Sequence, residues 1–372
     1  MCFLRANLGK HCPILFAIVV LFIKASRCTS SPPMDDAPCS VKGFEAYCAE
    51  FHKDYSANSQ EQARRFEAWV KSCLFLEQYK VDHPDASFHM GFNPLSDRLP
   101  EEHDAIFGLK VIPRGREAPS APSSSSLSSD NLDSHRGLQG FHKHNRSEEE
   151  DSKEQGGEKS EYFVPSELAK DLSPRALPPA VDWRTANLNP EGVVAVTPVK
   201  NQGACGACWA FTTTAAVEGA VAVTTGVLNE LSNQELIDCV TQNEGCNGGD
   251  FDYAFKFVVR KGLASTTDYQ FTQSQGKCRS GAYPLASRIA AAYETDPCSE
   301  NGLLSIVSRR PVAVAIDGSC DAFIQYKGGI YTQSCGSDLN HAVTIVGYGT
   351  DERTGTDYWV SASPGPSMID VL

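Results

Sequence analysis

The chain has 372 residues, 41 % of them hydrophobic, and is therefore long enough for two domains with a sizeable core. Its formal net charge of −13 argues against nucleic acids and anionic membrane surfaces as partners, because both carry negative charge. Fourteen cysteines in a chain that begins with a hydrophobic segment indicate an oxidising compartment.

Residues 1–28 have the layout of a secretory signal peptide. Arg5 and Lys10 precede an apolar run from Cys12 to Ile23, and small residues follow. The run has about 12 residues, which is short for a membrane span. We expect this segment to direct the chain into the secretory pathway, either as a cleaved signal peptide or as an uncleaved signal anchor.

A charged, helix-forming stretch follows at 41–108. On its own, its pattern indicates only an ordinary amphipathic helix. Six residues recur at spacings of three or four, which places them along one face of a long helix: Glu61, Arg65, Trp69, Ser72, Leu76 and Lys80.

Residues 109–176 differ in composition from the rest. Pro113 to Asp130 is rich in Ser and Pro, and Glu148 to Lys159 is densely acidic. Because few apolar residues are present to offset the entropy of ordering, we predict a disordered linker, which proteases would cut easily. It carries a candidate N-glycosylation site at Asn145.

From residue 177 onward, the pattern predicts an α+β domain of two halves. The first half is helical, and the second consists of strands rich in Val, Ile and Tyr. A capping-box sequence, Ser232-Asn-Gln-Glu235, marks the start of one helix. The predicted helices are Ala207–Thr225, a helix after Ser232, and Asp252–Lys261; the predicted strands are Pro311–Ile316, His341–Tyr348 and Asp357–Val360.

Residues 201–211, Asn-Gln-Gly-Ala-Cys-Gly-Ala-Cys-Trp-Ala-Phe, carry the clearest chemical signal. Cys208 lies in the first turn of a predicted helix, where unpaired N–H groups and the helix dipole favour a negative charge. A thiol there ionises more readily, and the thiolate is the nucleophilic form. A redox or zinc site built on Cys205 and Cys208 is an alternative, but zinc needs two further ligands, and the following helix offers none.

This string resembles the active-site sequence of papain-family cysteine proteases. The resemblance implies that Cys208 is the nucleophile and that His341, 133 residues further on, is the base. A thiolate and an imidazolium would stabilise each other at close range. Gln202 matches the family's oxyanion glutamine, whose amide would donate to the developing negative oxygen together with the N–H of Cys208.

The same resemblance extends to substrate binding. Gly248 and Gly249 lie in a sequence similar to the glycine shelf on which papain-like enzymes pair an extended substrate, since glycines permit close approach. Phe251 would form the floor of the pocket for the residue two before the cut, which favours apolar side chains. Asn340, next to His341, would also contact substrate.

The face of the long helix at 41–108 resembles that of papain-family inhibitory propeptides, with Glu61 and Arg65 matching in identity. Gly91-Phe-Asn-Pro-Leu-Ser-Asp97 is similar to a turn of the same propeptides. The resemblance implies a precursor inhibited by its own propeptide and cut near Leu177. Carboxylates such as Glu61 and Asp97 would anchor the pro-region.

The chain departs from the family after Tyr358-Trp359. The family has an asparagine there that orients the histidine, but the matching position is Ser363. The chain then ends at Leu372, so we expect the peptidase domain, 177–372, to be truncated at its C-terminus.

The resemblance also implies two disulfides, Cys205–Cys246 and Cys239–Cys278. Residues 177–372 contain eight cysteines, so removing the nucleophile leaves an odd number and one without a partner. We expect this to be Cys335, with a partner beyond the end of the chain, while Cys298 and Cys320 would pair with each other.

The resemblance therefore implies a cathepsin L-type cysteine endopeptidase with a helical left lobe and a right lobe formed by a β-sheet or barrel, preceded by a helical propeptide. We expect a monomer without a cofactor that cleaves proteins and peptides in an acidic lysosome- or vacuole-like compartment or outside the cell. The alternative is a catalytically impaired papain-fold binding or decoy protein, because the orienting asparagine and the last strands are missing.

Overall fold

The computed structural model describes residues 2–3, 38–111, 176–293, 300–364 and 368–371, which belong to one compact unit. Most of the predicted signal segment and linker, together with Asn145 and Cys298, lies outside these residues. Within them, no helix is both long enough and apolar enough to cross a membrane.

The pro-region is built from three helices and a short strand. The longest helix begins after Asn58, whose side chain accepts hydrogen bonds from the N–H groups of Gln60 and Glu61. Of the six residues that the spacing places on one face, Trp69 and Leu76 are buried, whereas Lys80 is exposed. The elements are α1 (Val41–Glu50), α2 (Ser59–Asp82), β2 (Phe88–Met90) and α3 (Pro100–Ile106), and a two-residue strand, β1 (Cys2–Phe3), precedes them.

Aromatic rings form the core of the pro-region. Phe44 and Tyr47 of α1 pack against Trp69 of α2, with ring centroids 5.6 and 6.1 Å from that of the indole. A disulfide between Cys39, just before α1, and Cys73 in α2 joins the same two helices. The pro-region therefore has a hydrophobic core of its own.

The carboxylate of Asp97 ties the turn after β2 to the region around α1. It is fully buried and accepts hydrogen bonds from the hydroxyls of Tyr47 and Tyr55, at 3.0 and 2.5 Å, and from the ammonium of Lys53 at 3.1 Å. A buried carboxylate without such donors would be costly, so these contacts hold the turn in place.

Arg65 links α2 to α3. Its guanidinium forms an ion pair with Glu61, one turn earlier in α2, and contacts both carboxylate oxygens of Glu102 in α3. A two-pronged contact of this kind fixes geometry as well as charge. Both carboxylates predicted as anchors, Glu61 and Asp97, are thus engaged within the pro-region.

The helical half of the peptidase region is centred on α4 (Cys208–Thr225), most of which is buried. This helix ends at Gly226, whose φ of 75° closes it without a side-chain penalty. The next helix follows Ser232, whose hydroxyl accepts a hydrogen bond from the N–H of Glu235 at 3.0 Å, as the capping box predicted. The remaining α-helices in the described part of the peptidase region are α5 (Asn233–Cys239) and α6 (Phe251–Lys261), followed by α7 (Glu300–Val307) and α8 (Asp321–Ile324), which lie among the strands in sequence.

The other half is a sheet in the order β1-β4-β6-β7-β8, with β3 also paired to β6. β1 is parallel to β4, and the other pairs are antiparallel. β2 of the pro-region pairs with β5, so a two-stranded sheet links the pro-region to the peptidase region. The strands are β3 (Val181–Asp182), β4 (Val312–Ile316), β5 (Tyr326–Gly329), β6 (His341–Thr350), β7 (Asp357–Ser363) and β8 (Met368–Val371).

Helices and sheet meet at the start of α4. Cys208 and Trp209 belong to the same buried cluster as Ala315 of β4 and Ala342 of β6. The small strand residues let the helix approach the sheet closely, as the dense packing of protein interiors requires. The predicted α+β architecture is confirmed, and the first turn of α4 lies at the junction of its two halves.

Candidate active site

Cys208 is the first residue of α4, carries a free thiol and is fully buried. It lies in the same buried cluster as Leu109 of the pro-region and Ala342 of β6. Because Ala342 directly follows His341 in β6, the thiol lies beside the start of the strand that carries the predicted base.

His341 begins β6 and is 2 % exposed. Its Nε2 lies 2.9 Å from the hydroxyl oxygen of Ser363, at the end of β7, while its Nδ1 has no hydrogen-bond partner. The ring of Phe107 from the pro-region meets the imidazole edge-on, with centroids 5.4 Å apart. The serine at the position expected for asparagine is therefore within hydrogen-bonding distance of the histidine.

Gln202 is also buried, and its amide nitrogen donates two hydrogen bonds. Nε2 donates to the carbonyl oxygen of Ile106 in the pro-region at 2.8 Å and to that of Cys205 at 3.0 Å. Its Oε1 has no hydrogen-bond partner. The amide predicted to stabilise an oxyanion thus binds a peptide carbonyl oxygen from outside the peptidase region.

The pro-region continues past α3 as an extended strand along the glycine shelf. The N–H of Gly249 donates to the carbonyl oxygen of Gly108 at 2.8 Å, and the N–H of Lys110 donates to that of Gly249 at 3.0 Å. The N–H of Leu109 donates to the carbonyl oxygen of Asn340 at 3.0 Å. The bridge between Leu109 and Gly249 is parallel, so the shelf pairs with a peptide backbone.

The side chain of Leu109 is 5 % exposed and belongs to the same apolar cluster as Phe251, Ala315 and Ala342. Phe251 itself is fully buried, because it begins α6 and faces the core. The groove therefore has an apolar recess beside Gly249, which in this form holds a leucine.

Burial determines the charge state of this closed site. It raises the pKa of the Cys208 thiol to about 11, against the opposing effect of the N–H groups around the sulfur. It also lowers the pKa of His341 to about 4. In this closed form, burial therefore favours the neutral form of both groups. The thiolate–imidazolium pair expected from the sequence stays a prediction for the open groove.

The predicted start of the linker at 109 was wrong, because Leu109, Lys110 and Val111 lie along the groove. Sequence reasoning also missed the contacts of Ile106 and Phe107. The available signal was the apolar run 106–109, placed just before the Ser/Pro-rich segment. Its place in the groove depends on contacts with residues about a hundred positions or more away.

The structure pairs Cys205 with Cys246 and Cys239 with Cys278. It also pairs Cys320 with Cys335. This contradicts both the expectation that Cys335 needs a partner beyond Leu372 and the expectation that Cys320 pairs with Cys298. Cys320 lies directly before α8, and Cys335 lies in the loop that follows β5. Because Cys205 is bonded to Cys246, it is not available for a zinc or redox pair with Cys208, and the described residues hold no cluster of three metal-ligating side chains.

Two family models match the chain. Residues 177–363 match the papain family cysteine protease model, and residues 44–103 match that of the cathepsin propeptide inhibitor domain. The first match contains Cys208 and Ser363 and covers half of the chain. The second covers α2 and most of α3.

Curated relatives align over both regions. A senescence-specific cysteine protease of Oryza sativa subsp. japonica is 32 % identical over 352 residues, covering 93 % of this chain and 87 % of that protein. Germination-specific cysteine protease 1 of Arabidopsis thaliana is 33 % identical over 323 residues, covering 84 % of this chain and 72 % of that protein.

Solved precursor structures share the fold. The recombinant stem bromelain precursor has a TM-score of 0.66 at 27 % identity and covers 90 % of this chain and 92 % of its own. Digestive procathepsin L 3 of Tenebrio molitor has a TM-score of 0.63 at 29 % identity, covering 87 % and 88 %. The chain belongs to the papain family of cysteine proteases and carries a cathepsin-type propeptide inhibitor domain.

Proposed function

We propose that the chain is an endopeptidase precursor in which Cys208 is the nucleophile, His341 the general base and acid, and Gln202 an oxyanion donor. The observation that carries this proposal is the carbonyl oxygen of Ile106, held by Gln202 Nε2 in the groove that contains the Cys208 thiol. A buried thiol, a buried imidazole and an amide donor around a bound peptide backbone are the parts that acyl transfer requires.

The reaction proceeds in two halves. His341 accepts the thiol proton, and the sulfur of Cys208 attacks the peptide carbonyl carbon, so that an S–C bond forms and the carbonyl electrons move to oxygen. Gln202 Nε2–H and the N–H of Cys208 donate to that oxygen. The C–N bond then breaks, His341 protonates the leaving amine, and a thioester remains.

Water completes the second half. His341 takes a proton from water, whose oxygen attacks the thioester carbonyl carbon. The C–S bond breaks, the carboxylic acid leaves, and the thiol recovers its proton from His341. Each half therefore needs the imidazole in a fixed orientation, and the hydroxyl of Ser363, 2.9 Å from Nε2, is the group we assign to hold it.

The pro-region inhibits by occupying the same groove without being cut. Its strand pairs with Gly249 in the parallel direction, through the carbonyl oxygen of Gly108 and the N–H of Lys110. We propose that substrates run in the opposite direction along Gly249 and place a carbonyl carbon at the sulfur. The recess that holds Leu109, next to Phe251, would then take an apolar side chain from the residue two before the cut.

The alternative, a papain-fold decoy with impaired catalysis, is favoured by one observation, the hydroxyl that replaces the orienting amide at Ser363. The side chain of serine is shorter than that of asparagine, and its hydroxyl makes a single contact with the imidazole ring. Measured turnover separates the two functions, because a decoy would bind peptides in the groove without hydrolysing them.

We propose that the precursor is a monomer that follows the secretory pathway to an acidic compartment or the exterior. Four disulfides among the described residues suit an oxidising compartment. A relative named KDEL-tailed cysteine endopeptidase, from Arabidopsis thaliana, is 45 % identical over 187 residues, covering 50 % of this chain and 49 % of that protein.

The test is hydrolysis of a protein substrate after acid treatment of the full chain. We expect activity in the wild type and in Cys48→Ser, which removes the other free thiol of the described residues, and none in Cys208→Ala. Peptide binding without hydrolysis in the wild type would support the decoy, and activity in Cys208→Ala would reject the assigned nucleophile.

A further inference from the structure

Three consecutive threonines of α4, Thr212, Thr213 and Thr214, are buried. The hydroxyl of Thr213 donates to the carbonyl oxygen of Trp209 at 2.7 Å, one turn earlier in the helix. That of Thr214 donates to the carbonyl oxygen of Phe211 at 2.9 Å. The Thr212 hydroxyl has no hydrogen-bond partner among the described residues, although this residue is only 1 % exposed. A buried hydroxyl without a partner is costly, so that of Thr212 needs a physical explanation.

Thr212 lines a cavity that reaches the end of β7. Residues of α4, β6 and the end of β7 surround this cavity, which has a volume of about 40 Å³. Ser363 lines it as well, and so does Thr344 of β6. A cavity larger than roughly 10–15 Å³ can hold a water molecule if about two to four polar groups bind it. This cavity has both the volume and the hydroxyl groups for a bound water.

The charged groups of the same lining are engaged with other partners. The ammonium of Lys200 donates to Oε1 of Glu218 at 2.6 Å. The N–H of Leu231 donates to the same oxygen at 2.7 Å, and the hydroxyl of Thr197 donates to Oε2 at 2.9 Å. Within the described part of the lining, Oγ1 of Thr212 is the buried side-chain atom that still lacks a partner.

The direction of the hydrogen bond between Ser363 and His341 decides whether the imidazole can act as a base. Nε2 lies 2.9 Å from the serine oxygen, and Nδ1, which has no partner in the described part of the chain, is left to take the thiol proton. Nδ1 can accept that proton only if the neutral ring carries its own proton on Nε2. Nε2–H then donates to Ser363, so the serine hydroxyl has to donate elsewhere.

We infer that a water molecule in this cavity accepts the hydroxyl hydrogen of Ser363 and donates to Oγ1 of Thr212, which fixes His341 in the tautomer that can act as a base. Thr212 is thus a positioning residue that acts on the ring through the water and Ser363. The inference rests on the proposed function, because that function makes His341 the base. Without this acceptor, the serine hydroxyl would be free to donate to Nε2, and the proton of the ring would move to Nδ1.

The tautomer can be measured without catalysis, by nitrogen NMR of the imidazole in full-length Cys208→Ala at pH 7. Burial favours the neutral ring in this closed form, because it lowers the pKa of His341 to about 4. The signal of His341 is identified by its loss in His341→Gln. We expect the proton on Nε2, also when Thr212→Ser is added, and a larger share of it on Nδ1 when Thr212→Val is added.

Thr213→Val is the matched control, because the hydroxyl of Thr213 donates within the helix. It should leave the tautomer unchanged. A tautomer that Thr212→Val does not change either would overturn the inference and leave the proposed function intact.

The second measurement is peptide hydrolysis by enzyme processed from the full chain. Thr212→Val should lower kcat by about three- to ten-fold, the effect of one hydrogen bond, with little change in KM, and Thr212→Ser should retain most of the activity. Added to Ser363→Ala, Thr212→Val should lower kcat no further, because Thr212 acts through that serine.

Equal losses from Thr212→Val with and without Ser363 would show an effect of packing and overturn the inference, while the proposed function would stand. If the processed wild type hydrolysed no peptide, the proposed function would be overturned, and the role of Thr212 in catalysis with it.

Discussion

The contact between His341 and Ser363 is the least expected feature of the site. From the sequence, a serine hydroxyl would reach the ring only if its strand moved. The register of β7 on β6 shifts between Ile345 and Gly347, just before the paired ends of the strands, and this shift accompanies the approach of Ser363. A hydroxyl both donates and accepts, so it can hold either tautomer of the ring.

Replacing Ser363 with alanine should lower kcat about ten-fold and leave KM nearly unchanged, because the imidazole would lose its fixed orientation but the groove would remain. The loss should be smaller than the roughly 10⁴-fold seen when an orienting carboxylate is replaced in a serine protease, since no wrong tautomer is imposed. Steady-state kinetics on a short peptide would measure it, and Ser363→Thr, which keeps the hydroxyl, should retain most of the activity.

Ser361 offers the matched control for this test. It lies two residues earlier in β7, is fully buried, and its hydroxyl has no hydrogen-bond partner. Ser361→Ala should therefore leave kcat almost unchanged. Equal losses in Ser361→Ala and Ser363→Ala would mean that packing, and not the contact with His341, explains the effect.

At the scale of elements, the inhibitory strand depends on a residue without a side chain. A Cβ added to Gly108 would lie 1.9 Å from the carbonyl oxygen of Gly206, which is backbone and cannot move aside cheaply. Gly108→Ala should weaken binding of the strand in the groove by about 1–3 kcal/mol, which corresponds to a loss of inhibition of roughly ten-fold or more at neutral pH.

The rate of peptide hydrolysis by the unprocessed precursor at pH 7 would measure this loss of inhibition. Gly91→Ala is the control in the same pro-region, because an added Cβ would meet only the flexible side chain of Lys327, at 3.3 Å. If the Gly108→Ala precursor hydrolysed peptide no faster than the Gly91→Ala precursor, the strand would not be the inhibitory element.

The disulfide between Cys39 and Cys73 should stabilise the pro-region by closing a loop of 34 residues. The chain-entropy model gives about 3–4 kcal/mol for a loop of this length. Cys39→Ala with Cys73→Ala should lower the melting temperature of the precursor and speed its processing, whereas Cys48→Ser, which removes a free thiol in the same region, should do neither. Unchanged melting in the double variant would show that the aromatic core suffices.

The elements predicted from the sequence are those whose signal is local. The spacing of Trp69 and Leu76 predicted the buried face of α2, and Ser232 with Glu235 predicted the start of α5. The course of 106–111 and the bond between Cys320 and Cys335 could not be predicted, because each depends on which distant segments the fold brings together. The ionised state of Cys208 stays a prediction, because the helix start favours the thiolate whereas burial raises the pKa of the thiol.

For the whole molecule, acid should release the pro-region through carboxylates such as Glu102. Burial raises the pKa of Glu102, but hydrogen bonds from Arg65 and the N–H of Leu99, with the charges of Arg65 and Arg98, outweigh it and hold the pKa below its ordinary value. A lowered folded-state pKa gives stability that is present above the unfolded value, about 4.3, and lost as pH falls through the folded value.

The full-length Cys208→Ala variant cannot cut itself if the proposed nucleophile is right. We expect its melting temperature to fall between pH 7 and pH 3. Adding Glu102→Gln should lower the melting temperature at pH 7 and flatten its fall below about pH 4.3. Adding Glu101→Gln instead should change little, because the ion pair of Glu101 with Arg64 is exposed. Identical curves for the two added substitutions would reject Glu102 as part of the acid switch.

We propose that Cys208 is a nucleophile that stays neutral while the pro-region strand covers it. The direct measurement is the rate at which iodoacetamide alkylates Cys208, followed by mass spectrometry over a range of pH in the Cys48→Ser chain before and after processing. Before processing, alkylation should be slow and rise only towards pH 11, in line with the raised pKa of the buried thiol. After processing, it should be fast already below pH 7, because a neighbouring imidazolium then stabilises the thiolate. The same pH dependence before and after processing would contradict the account.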